Sequence, residues 1–248
     1  MLLMAPFLCQ VSFAQDLDST KRVRYIGGSV NITNNGVSLI PTFSLGKPAA
    51  LFNLLLGNKK LSFEPELRFS LEGKPWSFIF WGRYKLINTQ RFKLNVGAHP
   101  SFVFKTISIN DNGVIKNITQ AQQFAAMELS PFYMLSKNTS IGMYVLIGHG
   151  FQEDATKNTQ FITLNSNFSN IALNKQLLLR FSPQFYYLNM DNADGFFFSE
   201  TLTLSHKKSP FSFSGFINKR ITSNISASQD FVWNVMVSYS FFHTYLQK

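Results

Sequence analysis

The stretch Phe231-Val-Trp-Asn-Val-Met-Val-Ser-Tyr-Ser-Phe241 decides how this chain folds. Taken two residues at a time it forms two lanes. One reads Phe231, Trp233, Val235, Val237, Tyr239, Phe241, and the other reads Val232, Asn234, Met236, Ser238, Ser240. A strand sends successive side chains to opposite faces, so one face here is apolar throughout and the other is mixed and small. The apolar face carries aromatics towards both ends and aliphatics between them. A strand that crosses a bilayer needs that order, with rings at the two water interfaces and hydrocarbon in the middle. Phe231, Trp233, Tyr239 and Phe241 are the expected girdle, and the stretch is read as the closing strand of a membrane barrel.

The same alternation runs backwards through the chain. It is clearest where Leu61, Phe63, Pro65, Leu67, Phe69 and Leu71 oppose Ser62, Glu64, Glu66, Arg68, Ser70 and Glu72. Similar lanes cover 23–30, 37–45, 76–87, 92–105, 124–135, 141–151, 177–187, 196–204 and 211–217, and residues 160–171 alternate weakly. Together these predict an all-β, closed antiparallel transmembrane β-barrel of about twelve strands, an even number of the kind bacterial barrels use. Asn34-Asn35-Gly36 reads as a tight turn, and residues 106–119 and 191–195 read as loops. Residues 46–57 are too apolar for an ordinary loop, and a short strand, a short helix and a segment tucked into the barrel mouth all fit them. Connections near 89, 138, 173 and 208 are short and those near 112, 155, 193 and 225 longer, the rhythm of periplasmic turns and outer loops. Pro41, Pro65, Pro100, Pro131 and Pro183 all fall on apolar lanes, where each removes a ladder hydrogen bond and marks a bend or bulge.

Composition points the same way. Charged residues are 15% of the 248, aromatics are also 15%, and phenylalanine alone contributes 27. An ordinary soluble domain has about 25% charged residues. No apolar run approaches the ~18 residues of a spanning helix, so a closed barrel is the remaining way to hide the backbone from lipid. A soluble secreted β-sandwich is the competing fold. The formal charge is +10, but the cations are spread singly rather than clustered, which argues against a nucleic-acid partner. Anionic lipid head groups or a small anionic solute suit the excess charge better. Residues 1–14 read as a secretory leader ending Ser12-Phe13-Ala14, with the barrel over 15–248; a buried N-terminal strand is the other reading. Cys9, the one cysteine, lies in that leader, so no disulfide and no cysteine metal site is expected.

The leader ending Phe13-Ala14-Gln15, the lanes from about residue 23 to 241 and the aromatic-ended last strand together resemble a Gram-negative outer-membrane β-barrel protein. That resemblance covers nearly the whole chain and is one of architecture, with no single transporter or enzyme implied. It implies a place in the cell outer membrane among its lipid and lipopolysaccharide. It also implies handling by the barrel assembly machinery, which reads an aromatic at the end of the last strand. Here His243-Thr-Tyr-Leu-Gln-Lys248 follows Phe241-Phe242, a departure from that ending.

If the apolar lanes face lipid, the polar lanes place Glu64, Glu66, Arg68, Glu72, Arg83, Lys85, Arg91, Lys93, Asn95, His99, Lys105, Glu128 and Arg180 in the lumen. Most come from residues 61–105, so acids on one strand lie beside bases on the next two. They form either a salt-bridged network that fills the barrel or a constriction that selects solutes by charge and favours anions. No Ser/His/acid arrangement, metal-ligand spacing or phosphate loop stands out, so neither an enzyme nor a cofactor is expected. His149, on an apolar lane between Ile147 and Phe151, reads as an interfacial histidine. Glu200, also on an apolar lane, implies either a bulge or a misread register. The functional expectation is a porin-like channel or small transport barrel. The alternative is a closed structural or ligand-binding barrel, with 46–57 as its candidate plug, and an outer-membrane lipid enzyme has the least support.

Overall fold

The structure, a computed structural model, describes residues 22–111 and 114–247. The leader assigned to residues 1–14 lies outside the described residues. Within them, twelve strands close into one antiparallel barrel: β1 (Arg22–Thr33), β2 (Ala49–Asn58), β3 (Leu61–Ser70), β4 (Pro75–Asn88), β5 (Phe92–Asp111), β6 (Val114–Met134), β7 (Thr139–Gly150), β8 (Asn158–Ala172), β9 (Leu177–Met190), β10 (Ala193–His206), β11 (Phe211–Ser223) and β12 (Phe231–Gln247). Each strand pairs with its neighbours in sequence. β12 returns to β1, with Ser29 opposite Ser240 and Asn31 opposite Ser238, so no sheet edge is left over. No helix of the described residues is long and apolar enough to cross a membrane.

The lanes read from the sequence become the two faces of this wall. Phe63, Tyr84, Met127, Ile147, Leu164, Phe185, Phe213 and Trp233 are exposed on the outside. Ser62, Trp81, His99, Glu128, Thr163, Ser199, Asn234 and Ser238 are buried inside. Four prolines explain where the ladders are interrupted. Pairing skips from Asn53–Glu66 to Leu56–Phe63 at Pro65, and from Ile79–Ser101 to Gly82–Ala98 at Pro100. It skips from Leu129–Val145 to Phe132–Gly142 at Pro131, and from Asn165–Gln184 to Phe168–Phe181 at Pro183. A ring with no N–H leaves a gap on one side of its strand, and the barrel tolerates one such gap in every second ladder from β2–β3 to β8–β9.

The strand assignment needs correcting in its first quarter. Residues 37–45 are not a strand, and 34–36 do not close a hairpin. Instead residues 34–48 form one long connection with a single 3-10 turn at Pro41–Phe43. Proline at the first position of that turn needs no N–H donor, and Gly46 takes the left-handed conformation at φ 70°. The ambiguous 46–57 segment supplies β2. It is apolar on both faces because Leu51 packs inward with Ala49, Leu45 and Trp76 while Phe52 faces out. Residues 106–119 are also mostly strand, since β5 and β6 pair out to Asp111 and Val114. Residues 191–192 are a two-residue turn between β9 and β10 rather than a longer loop.

These changes regularise the connections. At the end where β1 starts and β12 finishes, they are residues 59–60, 89–91, 135–138, 173–176 and 207–210, all short. At the other end stand residues 34–48, 71–74, 151–157, 191–192 and 224–230. The first set marks the short-turn end of the barrel and the second its plug end.

Glu200 sits in the middle of β10 with its lane intact: Phe198 and Leu202 flank it, and Pro183 and Ile217 lie opposite on the two neighbouring strands. The register shift in β10 falls at Phe196/Phe197, well before it. Neither a bulge nor a misreading therefore removes the carboxyl from the outer face. A carboxyl near the bilayer midplane is costly, though less so than lysine or arginine there. Glu200→Leu is expected to raise stability by about 1–2 kcal/mol. Urea unfolding of the vesicle-embedded barrel measures it, and a loss of stability would show that the carboxyl has a favourable partner.

Candidate functional site

The lumen is the site, and its upper part is filled by the chain's own first connection. Backbone bonds from Gly36 N to Lys47 O (2.7 Å) and from Leu45 N to Gly36 O (2.7 Å) pinch the base of residues 36–47 into a closed loop. The Ser44 hydroxyl braces it from within, accepting from Ser38 N (2.9 Å) and donating to Ser38 O (3.2 Å). A β-carbon at Gly36 would lie 2.9 Å from the Leu45 β-carbon and 3.2 Å from the Trp76 ring, so the pinch needs glycine. The loop turns inward. Leu39, Ile40 and Phe43 are 5%, 1% and 6% exposed, and they share one apolar cluster with Ile79, Trp81, Phe124, Leu146, Phe161, Tyr186 and Phe197 of the wall.

Specific contacts hold this plug. Trp76 Nε1 donates to Phe43 O at 2.9 Å, and Phe43 meets Phe124 edge-on with ring centres 4.8 Å apart. The Tyr186 hydroxyl reaches Asn218 Oδ1 at 2.9 Å and lies 3.4 Å from Leu39 O. Tyr186 also stacks on Phe197, at 4.9 Å and 11°. Two cavities of about 20 Å³ lie along the seams between plug and wall. One lies between Ile40, Phe43, His99, Ser101 and Phe124, the other between Gly36, Val37, Leu51 and Trp76. Each has room for about one water.

Beneath the plug lies a compact ion cluster centred on Arg83. Its Nε donates to Glu128 Oε1 at 2.6 Å, its Nη1 bonds Glu64, and its guanidinium lies 4.1 Å from the Trp81 ring centre. Glu128 also accepts from the Tyr144 hydroxyl at 2.7 Å, and Glu64 from the Ser62 hydroxyl at 2.6 Å. Arg68 pairs with Glu66 at 2.7 Å, and the two side chains are 2% and 7% exposed. Buried charges are tolerable only when paired in this way. The geometry depends on Gly97, which lies on β5 between Arg83 and Glu128 in register. A β-carbon there would fall 2.8 Å from Glu128 Oε1 and 3.0 Å from Arg83 Cγ. The missing side chain lets arginine on β4 reach across β5 to glutamate on β6.

The other residues assigned to the lumen divide by place. Lys85 lies 5.6 Å from the Tyr25 ring and Lys93 5.7 Å from the Phe132 ring, both towards the short-turn end. Arg180 and Asn95 occupy inward positions on that half of the wall, among Asn165, Ser182, Gln184, Thr201 and Thr203. His99 is 3% exposed with its ring 4.1 Å from Trp81. Lys105 pairs with Gln120 on the part of the β5–β6 hairpin that outruns the β4 and β7 pairing. Two assignments are corrected. Glu72 is not luminal: it lies in the exposed 71–74 turn, 3.6 Å from Lys47, because β3 ends at Ser70. Arg91 is exposed in the 89–91 turn, because β5 starts only at Phe92.

Several site residues escaped the sequence reading. Trp81 and Tyr144 lie on the inner lanes but look like ordinary strand aromatics, and Trp76 lies inward only because the register shifts at Arg68/Phe69. Gly97 did carry a signal, as a glycine inside a lane of charges. Phe231, Trp233 and Tyr239 point outward and are exposed, and Phe241 is half-buried beside Gly28. His149 is exposed on the outer face, with Nδ1 3.4 Å from Asn158 Oδ1 and Phe151 beside it. Among the described residues no three His, Cys, Asp or Glu side chains gather as metal ligands.

The outer surface decides the setting. Phenylalanine, leucine, isoleucine and methionine stand exposed around the whole wall, far beyond the apolar patch of a soluble monomer. With every strand paired, that surface meets hydrocarbon without an unsatisfied backbone group. The chain is a transmembrane β-barrel. Several solved structures align with most of this chain. The KdgM porin in complex with disordered oligogalacturonate aligns over 88% of this chain and 99% of its own, at 11% identity and a TM-score of 0.48. The NanC porin aligns over 89% and 100%, at 9% identity and 0.49. The β-domain of the Bordetella autotransporter Brka aligns over 89% and 99%, at 7% identity and 0.49. No protein-family model and no curated protein matches the sequence.

Proposed function

We propose that this barrel is a porin-like channel kept shut by its own first connection. The observation that carries this reading is the burial of Leu39, Ile40 and Phe43 in the wall's aromatic cluster. A solute cannot pass while that packing holds. Below the plug the inner wall becomes hydrophilic, with Asn165, Gln184, Ser199, Thr201 and Ser214 on one side and Lys85, Lys93 and Arg180 adding positive charge. Such a wall suits hydrated anions once the plug moves. A second reading, a permanently closed structural barrel, is favoured by the Arg83 cluster, which cross-links β3, β4, β6 and β7 whether or not anything passes.

The test is conductance of the purified, refolded full chain in a planar bilayer, with folding checked by its heat-modifiable gel shift. The expected record is a closed baseline with brief, discrete, anion-preferring openings. A steady wide-pore conductance would overturn the plug. Complete silence in both this protein and the plug-less variant discussed below would favour the permanently closed barrel.

A further inference from the structure

The two ends of the barrel differ sharply in charge. Connections at the short-turn end hold Lys59, Lys60, Arg91, Lys137, Lys175, Lys207 and Lys208, and no acid. Connections at the plug end hold Glu72, Glu153, Asp154, Asp191 and Asp230 against Lys47, Lys74 and Lys157. The formal balance is seven minus none, +7, at one end and three minus five, −2, at the other. The plug-end charges are largely used within the chain. Lys47 pairs with Glu72, Arg220 pairs with Asp230, and Asp191 accepts from the Lys157 and Asn158 amides at 3.1 and 2.7 Å. The seven short-turn cations are all exposed, and none pairs with a carboxylate among the described residues.

We propose that this ring of cations binds the anionic headgroups of the leaflet that meets the short-turn end, that is, anionic glycerophospholipids of the phosphatidylglycerol type. Depth is the first reason. The outer lanes nearest these turns carry exposed Tyr84, Phe92, Tyr133, Phe211 and Tyr239, the rings that mark a membrane–water interface. The lysines begin just beyond them, where headgroup phosphates lie. The second reason is chemical. Six of the seven are lysines, spread over five connections around a closed ring, and none is buried. A built site for one small anion would gather arginine forks in an enclosed cradle, whereas exposed point charges on flexible stems suit a diffuse layer of phosphodiesters. This inference does not depend on whether the plug gates a channel.

The experiment uses the full chain refolded into nanodiscs containing equal phosphatidylcholine and phosphatidylglycerol, with the lipids retained on the released protein counted by native mass spectrometry. The wild-type chain is expected to retain phosphatidylglycerol roughly tenfold over phosphatidylcholine. The fourfold variant Lys59→Gln, Lys60→Gln, Lys207→Gln, Lys208→Gln loses most of that preference, and the plug-end control Lys47→Gln, Lys74→Gln keeps it. Equal retention of the two lipids by the wild type, or an unchanged preference in the fourfold variant, overturns the proposal. Competition by inorganic phosphate separates a free-anion site from a lipid surface, and displacement of the lipid by millimolar phosphate also counts against it. Should the fourfold variant not fold, wild-type chain in rising salt decides, because a contact of exposed charges must weaken as the screening length shrinks. A preference indifferent to salt defeats it.

Discussion

Deleting residues 37–45 and joining Gly36 to Gly46 is expected to turn a mostly closed barrel into a steadily conducting one. The join is short, because Gly46 N already lies 3.2 Å from Gly36 O across the pinch, so β1 and β2 keep their register. The deletion removes Leu39, Ile40 and Phe43 from the wall cluster. Burying each such side chain contributes about 1.5–3 kcal/mol, so roughly 4.5–9 kcal/mol together before the cost of ordering the loop. A net bias near 5.5 kcal/mol would by itself hold the open state close to 1 in 10⁴ relative to closed. The open fraction should therefore rise by orders of magnitude, read as long-lived steps in the planar bilayer. If the deleted barrel folds, as judged by its gel shift, and still does not conduct, then wall side chains such as Tyr144, Phe161, Tyr186 and Phe197 close the lumen unaided. The gate would then be wrongly placed.

Replacing Arg83 by methionine is expected to cost roughly 3–5 kcal/mol of stability, the range for removing one partner from a buried ion cluster. The stem is conserved in length while Glu64 and Glu128 lose their shared cation, and Glu128 is only 2% exposed in its side chain. Arg83→Lys should recover part of the loss but not all, since an ammonium cannot fork between two carboxylates. The decisive control is Arg83→Met combined with Glu64→Gln and Glu128→Gln, which removes the uncompensated charge and should restore much of the stability. Urea unfolding in vesicles measures all three. If the single variant is as stable as the parent, the cluster is not a bracing element, and the permanently closed reading loses its main support.

Both predictions rest on features of different legibility. The wall was readable because a strand has a period of two, and each lane, such as 231–241 or 61–71, shows its two faces within about ten residues. The charge-bearing positions Glu64, Glu66, Arg68 and Arg83 were likewise readable as inward, because parity alone sets the face. Reading failed where strands ended. Glu72 and Arg91 keep the right parity yet lie one or two residues beyond a strand terminus, where parity no longer carries a direction.

The plug marks the limit of local reading. Val37, Leu39, Phe43 and Leu45 alternate with polar residues as a strand would, and nothing near them in sequence says otherwise except Gly36, Pro41 and Gly46. Their partners are Trp76, Phe124 and Tyr186, far along the chain and on three different strands. The amino-acid sequence by itself determined that this chain is a closed wall with an apolar outside and a charged, polar inside, because those properties repeat every second residue. Only the tertiary structure decided that the first connection folds into the lumen, that Gly97 opens a path from Arg83 to Glu128, and that the cations collect at one rim. Each of those depends on which strands become neighbours when the barrel closes, and closure is a property of the whole ring rather than of any one strand.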